Sequence, residues 1–459
     1  MVSSIIFNPD LIRKYDKSGP RYTSYPTAVQ FTEEFGIDDY KAQIEKSNQS
    51  GSPLSLYFHI PFCDTVCFYC GCSKVATKDR SKAQPYLDHV YKEMALQSEL
   101  FDTSRVVEQL HWGGGTPTFI NHEQMRELME RTRQYFTLLD DDSGEYSIEI
   151  DPREATAETI SVLRSIGFNR MSLGVQDFNP EVQKAVNRIQ SEEETSEVIQ
   201  AARDCGFHSI SLDLIYGLPH QSVETFDETL DKILALSPDR LSVFNYAHLP
   251  EMFKPQRRIN EVDLPSADEK LSIMQHCIEK LTTEGYEYIG MDHFARPDDE
   301  LALAQKNKTL YRNFQGYSTH ADCDLVAFGI TSIGKVADCY SQNLKTIDEY
   351  YQAIDNNRFP VFRGVVLDDD DRLRREVITQ LICHFELDKA RISNEFNINF
   401  DEYFTIELDE MNEMASDGLV KMGDIIRVTP SGKLLIRNIC MVFDKYMRKL
   451  DQARFSKVI

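Results

Sequence analysis

Short apolar runs alternate with charged segments of helical period between Leu54 and Tyr246. The charged segments, such as Glu192–Asp204 and Val223–Leu236, predict helices. Six strand-then-helix units of this kind imply a parallel sheet with right-handed crossovers. A cysteine-rich loop directly follows the first strand, which favours a partial (β/α)6 barrel of TIM type over a flat, doubly wound sheet. The apolar runs predict strands at Leu54–Ile60, Val106–Trp112, Tyr146–Ile150, Arg170–Val175, Ser209–Ile215 and Leu241–Tyr246.

The segments before and after these six units define the predicted domains. Residues 1–50 form an N-terminal extension, in which the aromatic and proline-containing stretch 21–27 is expected to be extended chain that covers the active site. Residues 51–355 form the catalytic barrel. Its later segments, 288–297, 312–317 and 325–339, lack a clean period and are predicted to be loops that close the open side of the barrel.

Residues 356–459 have a helical pattern and form the third predicted domain. A first helix starts near Asp368, a second spans Phe404–Met414, and a last helix runs from Gly432 to Tyr446. Between the last two, Leu419–Val428 predicts a short hairpin. Helices combined with a hairpin resemble a winged-helix module, which here has no basic stripe, so we expect it to act as a lid or packing element.

Composition limits the classes of partner. The 459 residues carry 50 Lys and Arg against 74 Asp and Glu, a net charge of −24. So acidic a chain argues against nucleic acid and anionic membranes as partners. It contains no run of eighteen apolar residues, and its first residues lack the basic flank of a signal peptide. We therefore expect a soluble, cytoplasmic protein, and a monomer because nothing suggests an obligate interface.

Three cysteines, Cys63, Cys67 and Cys70, follow the first strand at C-x3-C-x2-C spacing. A structural zinc site usually has four protein ligands, often from two separated cysteine pairs, and no second cysteine pair follows downstream. A [4Fe–4S] cluster is normally held by four thiolates, so three would leave one iron open to an outside ligand. Cys72 is not assigned to the cluster because the chain would have to double back sharply. A structural zinc site and a chance group of buried thiols are the alternatives.

The cysteine triplet, and Gly-Gly-Thr-Pro at Gly114–Pro117 after the second strand, resemble the signature of the radical S-adenosylmethionine (SAM) superfamily. In that superfamily the amino and carboxylate groups of SAM chelate the open iron. Polar residues also follow the later strands, where each alone is more often a cap or turn residue. Their recurrence at successive strand ends favours one shared site, with carboxylates for ribose hydroxyls and Arg188 for a carboxylate of methionine.

Longer sequence words extend the resemblance over almost the whole chain. Within the superfamily the chain is similar to the oxygen-independent coproporphyrinogen III oxidases, or dehydrogenases, of haem biosynthesis. The matching words are Arg21–Ala28, Phe62–Cys72, His111–Pro117, Asp151–Glu154, Gly174–Phe178, Asp213–Pro219, Phe244–His248, Met291–Pro297 and Arg437–Cys440.

This resemblance implies a reaction. A reduced cluster passes one electron into SAM, which splits into methionine and a 5′-deoxyadenosyl radical. The radical takes hydrogen from the β-carbon of a propionate, and loss of CO2 and one electron leaves a vinyl group. Two rounds convert coproporphyrinogen III into protoporphyrinogen IX, with electrons from a donor such as a flavodoxin-type protein.

The resemblance also implies roles for individual residues. Cys63, Cys67 and Cys70 would hold the cluster, and family members bind two SAM molecules. Catalytic candidates are Tyr57, Cys72 and Arg21, the last as a cation for the tetracarboxylate substrate. The first SAM would contact Tyr57, Gly114, Glu149 and Ile333, and the second would contact Tyr69, Gly115, Thr116, Gln176, Arg188, Asp213 and Ala247.

Two rival functions remain. Haem-binding radical SAM paralogues, which traffic haem, resemble the barrel but lack the Arg21–Thr27 word and a cysteine at the position of Cys72, both of which are present here. A non-catalytic module with structural zinc would be colourless, whereas a [4Fe–4S] cluster absorbs at roughly 400 nm.

Overall fold

The computed structural model describes residues 5–449. The helices of this range are α1 (Pro9–Lys14), α2 (Ile37–Ser50), α3 (Ala83–Ser98), α4 (His122–Tyr135), α5 (Ala157–Ser165), α6 (Pro180–Ala185), α7 (Glu192–Asp204), α8 (Val223–Leu236), α9 (Ala267–Thr283), α10 (Glu300–Asn307), α11 (Ile347–Asp355), α12 (Asp369–His384), α13 (Lys389–Phe396), α14 (Phe400–Tyr403), α15 (Thr405–Ser416) and α16 (Ile436–Val442). None of them is long and apolar enough to cross a membrane.

The strands of the same range are β1 (Leu54–Ile60), β2 (Phe62–Cys63), β3 (Val75–Ala76), β4 (Val106–Gly114), β5 (Thr137–Leu138), β6 (Glu145–Ile150), β7 (Arg170–Gln176), β8 (Ser209–Tyr216), β9 (Arg240–Asn245), β10 (Glu287–Gly290), β11 (His293–Ala295), β12 (Tyr311–Asn313), β13 (Gly316–Ser318), β14 (Asp324–Phe328), β15 (Ile333–Val336), β16 (Cys339–Asn343), β17 (Val361–Val366), β18 (Glu386–Asp388), β19 (Val420–Lys421) and β20 (Ile425–Val428).

The described chain forms two compact units. Unit 1 consists of residues 5–30, 271–321 and 367–449, and unit 2 of residues 31–270 and 322–366. The domain bounds expected from the sequence, 1–50, 51–355 and 356–459, stay predictions.

Unit 2 contains the predicted parallel sheet. Its strand order is β9-β8-β7-β6-β4-β1-β14-β15-β16-β17. The pairs from β9 to β14 are parallel, and those from β14 to β17 are antiparallel. All six predicted strands are present, each within two residues of its expected ends. The mixed α/β core with helices between parallel strands is thus confirmed.

One prediction for unit 2 is wrong. Residues 325–339 were expected to be loop, but they contain most of β14, all of β15 and the start of β16. Every residue of β14 is buried, because the strand pairs with the inner strand β1. A fully buried strand shows no alternation of polar and apolar positions, so its period is hidden in the sequence.

The core of unit 2 is built from large side chains on the sheet. Phe58 of β1 stacks on Phe328 of β14 with ring centroids 4.8 Å apart, and Trp112 of β4 meets Phe168 edge-on at 4.7 Å. All four are less than 2% exposed. This packing fixes the strands whose carboxyl ends build the site described below.

Unit 1 contains the predicted helical C-terminal region and several hairpins. Leu373, Val377 and Leu381 form the buried face of α12, as their four-residue spacing predicted. β19 and β20 form the predicted hairpin, and β18 adds a third strand beside β20. Segments 288–297 and 312–317, expected to be loops, instead form the hairpins β10-β11 and β12-β13.

The predicted last helix, Gly432–Tyr446, is interrupted. A short 3-10 turn, Lys433–Leu435, precedes α16, which ends at Val442. Asp444 then accepts hydrogen bonds from the backbone N–H groups of Tyr446 and Met447, at 2.9 and 3.3 Å. An aspartate that binds nearby backbone in this way competes with the helical hydrogen bonds and ends the helix.

Candidate active site

The ends of successive parallel strands meet around one cavity of about 250 Å3 in unit 2. The loops after β1 and β4 and the ends of β6, β7 and β8 contribute to its wall, as expected where parallel strands share a carboxyl edge. The lining residues are Cys63, Thr65, Cys67, Tyr69, Cys70, Cys72, Lys74, Gly114, Gly115, Thr116, Pro117, Glu149, Ile150, Asp151, Arg153, Ser172, Gly174, Gln176, Arg188 and Asp213. Twelve of the residues proposed from the sequence are among them.

The cysteine loop, residues 61–74, is held by backbone contacts. β2 pairs with β3, so Cys63 lies in a short parallel ribbon at the start of the loop. Further along, Asn187 donates its side-chain Nδ2 hydrogen to the carbonyl of Val66 at 2.9 Å. The N–H of Phe68 donates to the carbonyl of Val186, also at 2.9 Å. The loop therefore has a fixed course across the mouth of the cavity.

The thiols of the loop have different electrostatic surroundings. Burial raises the pKa of Cys63 to about 11, although Thr116 donates its hydroxyl hydrogen to this sulfur at 3.5 Å. A hydrogen bond from the Cys72 side chain and the nearby Lys74 ammonium lower the pKa of Cys70 to about 5, against the effect of burial. These contacts favour the thiolate form of Cys70, which is the form that binds metals.

Two arginines and an aspartate surround Cys67. Arg188 donates to the carboxylate of Asp151 at 3.0 Å and lies 3.5 Å from the Cys67 sulfur. It also donates to the carbonyl of Gly174. Arg153 donates to the same carboxylate at 2.6 Å and lies 3.7 Å from the sulfur. Burial alone would raise the pKa of Asp151, but the two guanidinium groups lower it. They also favour negative charge on any group bound beside them.

The glycine turn at the end of β4 places backbone atoms without side chains at the cavity wall. Gly114 has a φ of +117°, and its N–H donates to Glu149 at 3.1 Å. A Cβ atom at Gly115 would lie 2.6 Å from the backbone oxygen of Pro61, so only glycine fits there. Burial would raise the pKa of Glu149, but its hydrogen bond with His111 helps to lower it. An ionised carboxylate thus lies beside the exposed edge of the turn.

The ends of β7 and β8 add an amide, Gln176, and a third carboxyl group, Asp213, to the cavity wall. Burial raises the pKa of Asp213 to about 6, although Ser172 donates to it at 2.8 Å. Gln176, at the end of β7, has a φ of +69°. That left-handed conformation is uncommon for a residue with a side chain and recurs at functional sites. Because burial raises its pKa to about 6, Asp213 changes charge not far below neutral pH.

Tyr57 lies on β1 rather than in the cavity wall. Its ring stacks on His111 with centroids 5.8 Å apart, and its hydroxyl is 3.1 Å from Nδ1 of His59. Burial raises the pKa of Tyr57, so the phenol is protonated at neutral pH. The next ring along, His111, reaches Glu149 at 3.5 Å, so Tyr57 is linked to the cavity through one histidine.

Three other predicted residues, all within the described chain, do not line the cavity either. Ala247 follows β9, and Ile333 is the first residue of β15, so both lie in unit 2. Arg21 belongs to unit 1, where its guanidinium group is 3.7 Å from the carboxylate of Asp292. The roles expected for these three stay predictions.

Several residues of the cavity were assigned no role from the sequence. Ser172 and Lys74 line it, and the ring of His59 lies directly beside Gly114 of the cavity wall. One signal was available: His59 is two residues after Tyr57 on a strand, so the two side chains share a face. Ser172 precedes the matched Gly174–Phe178 word, and strand alternation likewise places it on the face of Gly174. Lys74 offered no such pattern.

Comparison with known proteins gives the family. The chain matches the Radical SAM superfamily over residues 57–233 and the HemN C-terminal domain over residues 367–435. It is 55% identical over 460 residues to the oxygen-independent coproporphyrinogen III oxidase of Pseudomonas aeruginosa, and 50% identical over 460 residues to that of Escherichia coli. Both matches cover 100% of each chain. The chain belongs to the oxygen-independent coproporphyrinogen III oxidase family. The family predicted from the sequence is therefore confirmed.

A solved structure of a member of this family has the same fold. Coproporphyrinogen III oxidase (HemN) from Escherichia coli, described as a radical SAM enzyme, superimposes with a TM-score of 0.92 at 48% identity. The match covers 97% of this chain and 100% of the other. The chain is thus an oxidoreductase of the radical SAM type, and the superfamily implies a [4Fe–4S] cluster and SAM as cofactors.

The cavity fits these two cofactors. Arg188 is buried, and its Nε has no hydrogen-bond partner among the described residues, so a donor is available to a bound carboxylate. A zinc ion about 2.3 Å from each thiolate would need sulfurs about 4 Å apart. Within residues 5–449, Cys63, Cys67 and Cys70 do not form a group with all sulfurs inside 4.8 Å of one another. The cluster is implied by the superfamily match, and the three thiols that line one cavity are compatible with it.

Proposed function

We propose that the protein oxidatively decarboxylates two propionate side chains of coproporphyrinogen III to vinyl groups without oxygen, giving protoporphyrinogen IX. The observation that carries this is the meeting of three cysteines, a glycine turn and three carboxyl groups in one cavity, in a chain that matches oxidases of this name from end to end. The same match gives the substrate, because coproporphyrinogen III is part of those names.

Cys63, Cys67 and Cys70 would hold the cluster and leave one iron open. The surroundings of Cys70 favour its thiolate form, and the burial of Cys63 favours a sulfur whose charge is neutralised by iron. Arg188 and Arg153 face the sulfur of Cys67 and would stabilise its negative charge. Cys72 stays outside this set as a catalytic candidate beside Cys70.

Two SAM molecules would share the cavity. The glycine turn presents backbone N–H and C=O groups without side chains, which suits a polar ligand at close approach. The first SAM is assigned to Gly114, Glu149, Tyr57 and Ile333. The second is assigned to Tyr69, Gly115, Thr116, Gln176, Arg188, Asp213 and Ala247. The free Nε of Arg188 supports a carboxylate ligand there.

When bound, the cluster supplies one electron that splits SAM into methionine and a 5′-deoxyadenosyl radical able to take hydrogen from a propionate. Each propionate would lose that hydrogen atom, CO2 and one electron as it becomes a vinyl group, and the electron would pass to a separate one-electron acceptor. The residues of this chain bind and orient the reactants and keep water from the cavity. A one-electron donor of the flavodoxin type and a cationic role for Arg21 toward the substrate are parts of the same proposal.

The test is an anaerobic assay of reconstituted protein with SAM, a reductant and coproporphyrinogen III. We expect CO2 release and mono- and divinyl products, abolished in Cys67→Ser and retained in Cys205→Ser, which replaces a cysteine at the end of α7. A cluster that forms and cleaves SAM without vinyl products would refute the decarboxylation and favour a haem-trafficking role. A colourless zinc protein would refute the cofactor assignment as well.

A further inference from the structure

One arginine outside the cavity contacts three of the loops that build it. Arg80 donates to the carboxylate of Asp64 at 2.5 Å and to that of Glu154 at 2.7 Å. It also donates to the carbonyl of Phe119 at 2.5 Å, and its guanidinium group lies 4.2 Å from the centre of the Phe119 ring. These contacts use both hydrogen-bonding ends of the group and one of its faces.

Each partner of Arg80 belongs to a different part of the site. Asp64 immediately follows Cys63 in the cysteine loop. Glu154 lies one residue after Arg153, beside the arginine pair at Cys67, and Phe119 closes the segment that begins with the glycine turn. Phe119 also stacks on Phe62, the residue before Cys63, with centroids 5.0 Å apart. The three loops come together at Arg80.

The backbone around Arg80 is held in place by a capped turn and by the helix that follows it. It begins the 3-10 turn Arg80–Lys82, whose preceding residue Asp79 accepts from the N–H of Ser81 at 3.1 Å. The turn leads directly into α3, whose Tyr86 is fully buried and donates to the carbonyl of His59 at 2.7 Å. The position of Arg80 is thereby fixed relative to the end of β1.

We propose that Arg80 is a positioning residue that fixes the cysteine loop against the rest of the site and so controls how well the cluster is retained. This inference rests on the proposed function. The planar guanidinium group can donate hydrogen bonds in its plane to two carboxylates while its face stacks on an aromatic ring. A lysine ammonium has no planar face and cannot reproduce this combination. Arg80 acts through the loops and is not among the residues that line the cavity.

The alternative is an ordinary surface ion pair. The side chain of Arg80 is 43% exposed, while those of Asp64 and Glu154 are 21% and 25% exposed. Exposed pairs contribute little on average. The chain contains a matched example in Arg131 of α4, which is also 43% exposed, pairs with Glu127 at 3.6 Å and lies 5.6 Å from the ring of Tyr91. Arg131 joins no loops of the site.

The test compares Arg80→Gln, Arg80→Lys and Arg131→Gln as complete, reconstituted proteins without substrate. Each is exposed to an iron chelator under anaerobic conditions, and the loss of cluster absorbance near 400 nm is followed over time. We expect Arg80→Gln to lose iron on the order of three- to tenfold faster than wild type, Arg80→Lys to be intermediate, and Arg131→Gln to be unchanged. In the double variant Arg80→Gln/Asp64→Asn, iron loss should be accelerated by less than the product of the accelerations in the two single variants.

Equal rates of iron loss in Arg80→Gln and Arg131→Gln would overturn this inference while leaving the proposed function intact. If Arg80→Gln does not fold, as judged by circular dichroism of the apoprotein, Asp64→Asn decides, because it removes one partner and keeps the arginine. Faster iron loss in Asp64→Asn supports the inference, and the wild-type rate overturns it. A wild-type protein that binds no cluster would overturn both this inference and the cofactor assignment.

Discussion

Glu93 of α3 is a carboxyl group with 0% exposure that does not line the cavity. It accepts hydrogen bonds from the hydroxyl of Tyr350 at 2.6 Å, from the side chain of Asn343 at 2.7 Å and from the N–H of Gly329 at 2.8 Å. Burial raises its pKa from the ordinary value of 4.5 to about 7, because the three donors only partly offset the loss of water. The stability of the protein should therefore depend on the charge of this one group.

The sign and size follow from the two pKa values. Between pH 4.5 and 7 the unfolded chain has released the proton of Glu93, whereas the folded protein still holds it. The contribution of this group is therefore fully present below pH 4.5 and is lost as the pH rises through 7. At about 1.4 kcal/mol per pKa unit, the free energy of unfolding should fall by about 2–3 kcal/mol between pH 5 and pH 8 on account of Glu93 alone.

Glu93→Gln removes the titration and keeps the size of the side chain. The NH2 group of the glutamine must then point at one of the donors whose hydrogen bond a carboxyl oxygen accepted. We therefore expect the free energy of unfolding to fall by about 1–3 kcal/mol at pH 5. That deficit should shrink toward pH 8, where the wild type has to bury a charge. Urea unfolding midpoints at both pH values, with surface Glu130→Gln as control, measure the difference. Parallel pH dependence in wild type and Glu93→Gln would refute the reasoning.

Two further predictions concern the cavity. If the ionised form of Asp213 binds SAM, affinity measured by equilibrium dialysis should rise as the pH passes through about 6, and this rise should be missing in Asp213→Asn; the same profile in both proteins would count against the assignment. Gly115→Ala should lower the free energy of unfolding by about 1–3 kcal/mol, because a Cβ would lie 2.6 Å from a backbone oxygen that cannot move aside. Gly36→Ala, with no atom within 4 Å of the added carbon, is its control, and equal melting temperatures for the two variants would contradict the argument.

The sequence predicted the parallel strands well because each is followed by a segment of different period. Alternation and flanking charge placed β1 and α7 at their observed ends, Leu54–Ile60 and Glu192–Asp204. The same reasoning missed β14 to β17. β14 is short and wholly buried, and β15 and β16 are short antiparallel strands joined by a two-residue turn, with no helix between them to mark their limits.

Most cavity residues could be found because strand ends are where parallel sheets carry ligands, and the matched words lie at those ends. The supporting residues could not. Glu93 appears in the sequence as one more charged position of a helix, and its partners lie more than 230 residues downstream. Arg80 likewise stands in a run of polar residues, and its partners at 64, 119 and 154 come together only in the folded chain.

The two-residue ribbon that begins the cysteine loop has a consequence for cluster assembly. β1 is hydrogen-bonded to parallel strands on both sides, so its amide hydrogens should exchange with solvent only when the sheet opens as a whole. The ribbon of β2 and β3 is only two residues long, and besides its own pairing it is joined to the barrel by the N–H of Thr116, which donates to the carbonyl of Phe62 at 2.8 Å, so it should open more often than β1. Iron and sulfide can thus enter after the barrel has folded, through a local opening that leaves the strand beneath it intact.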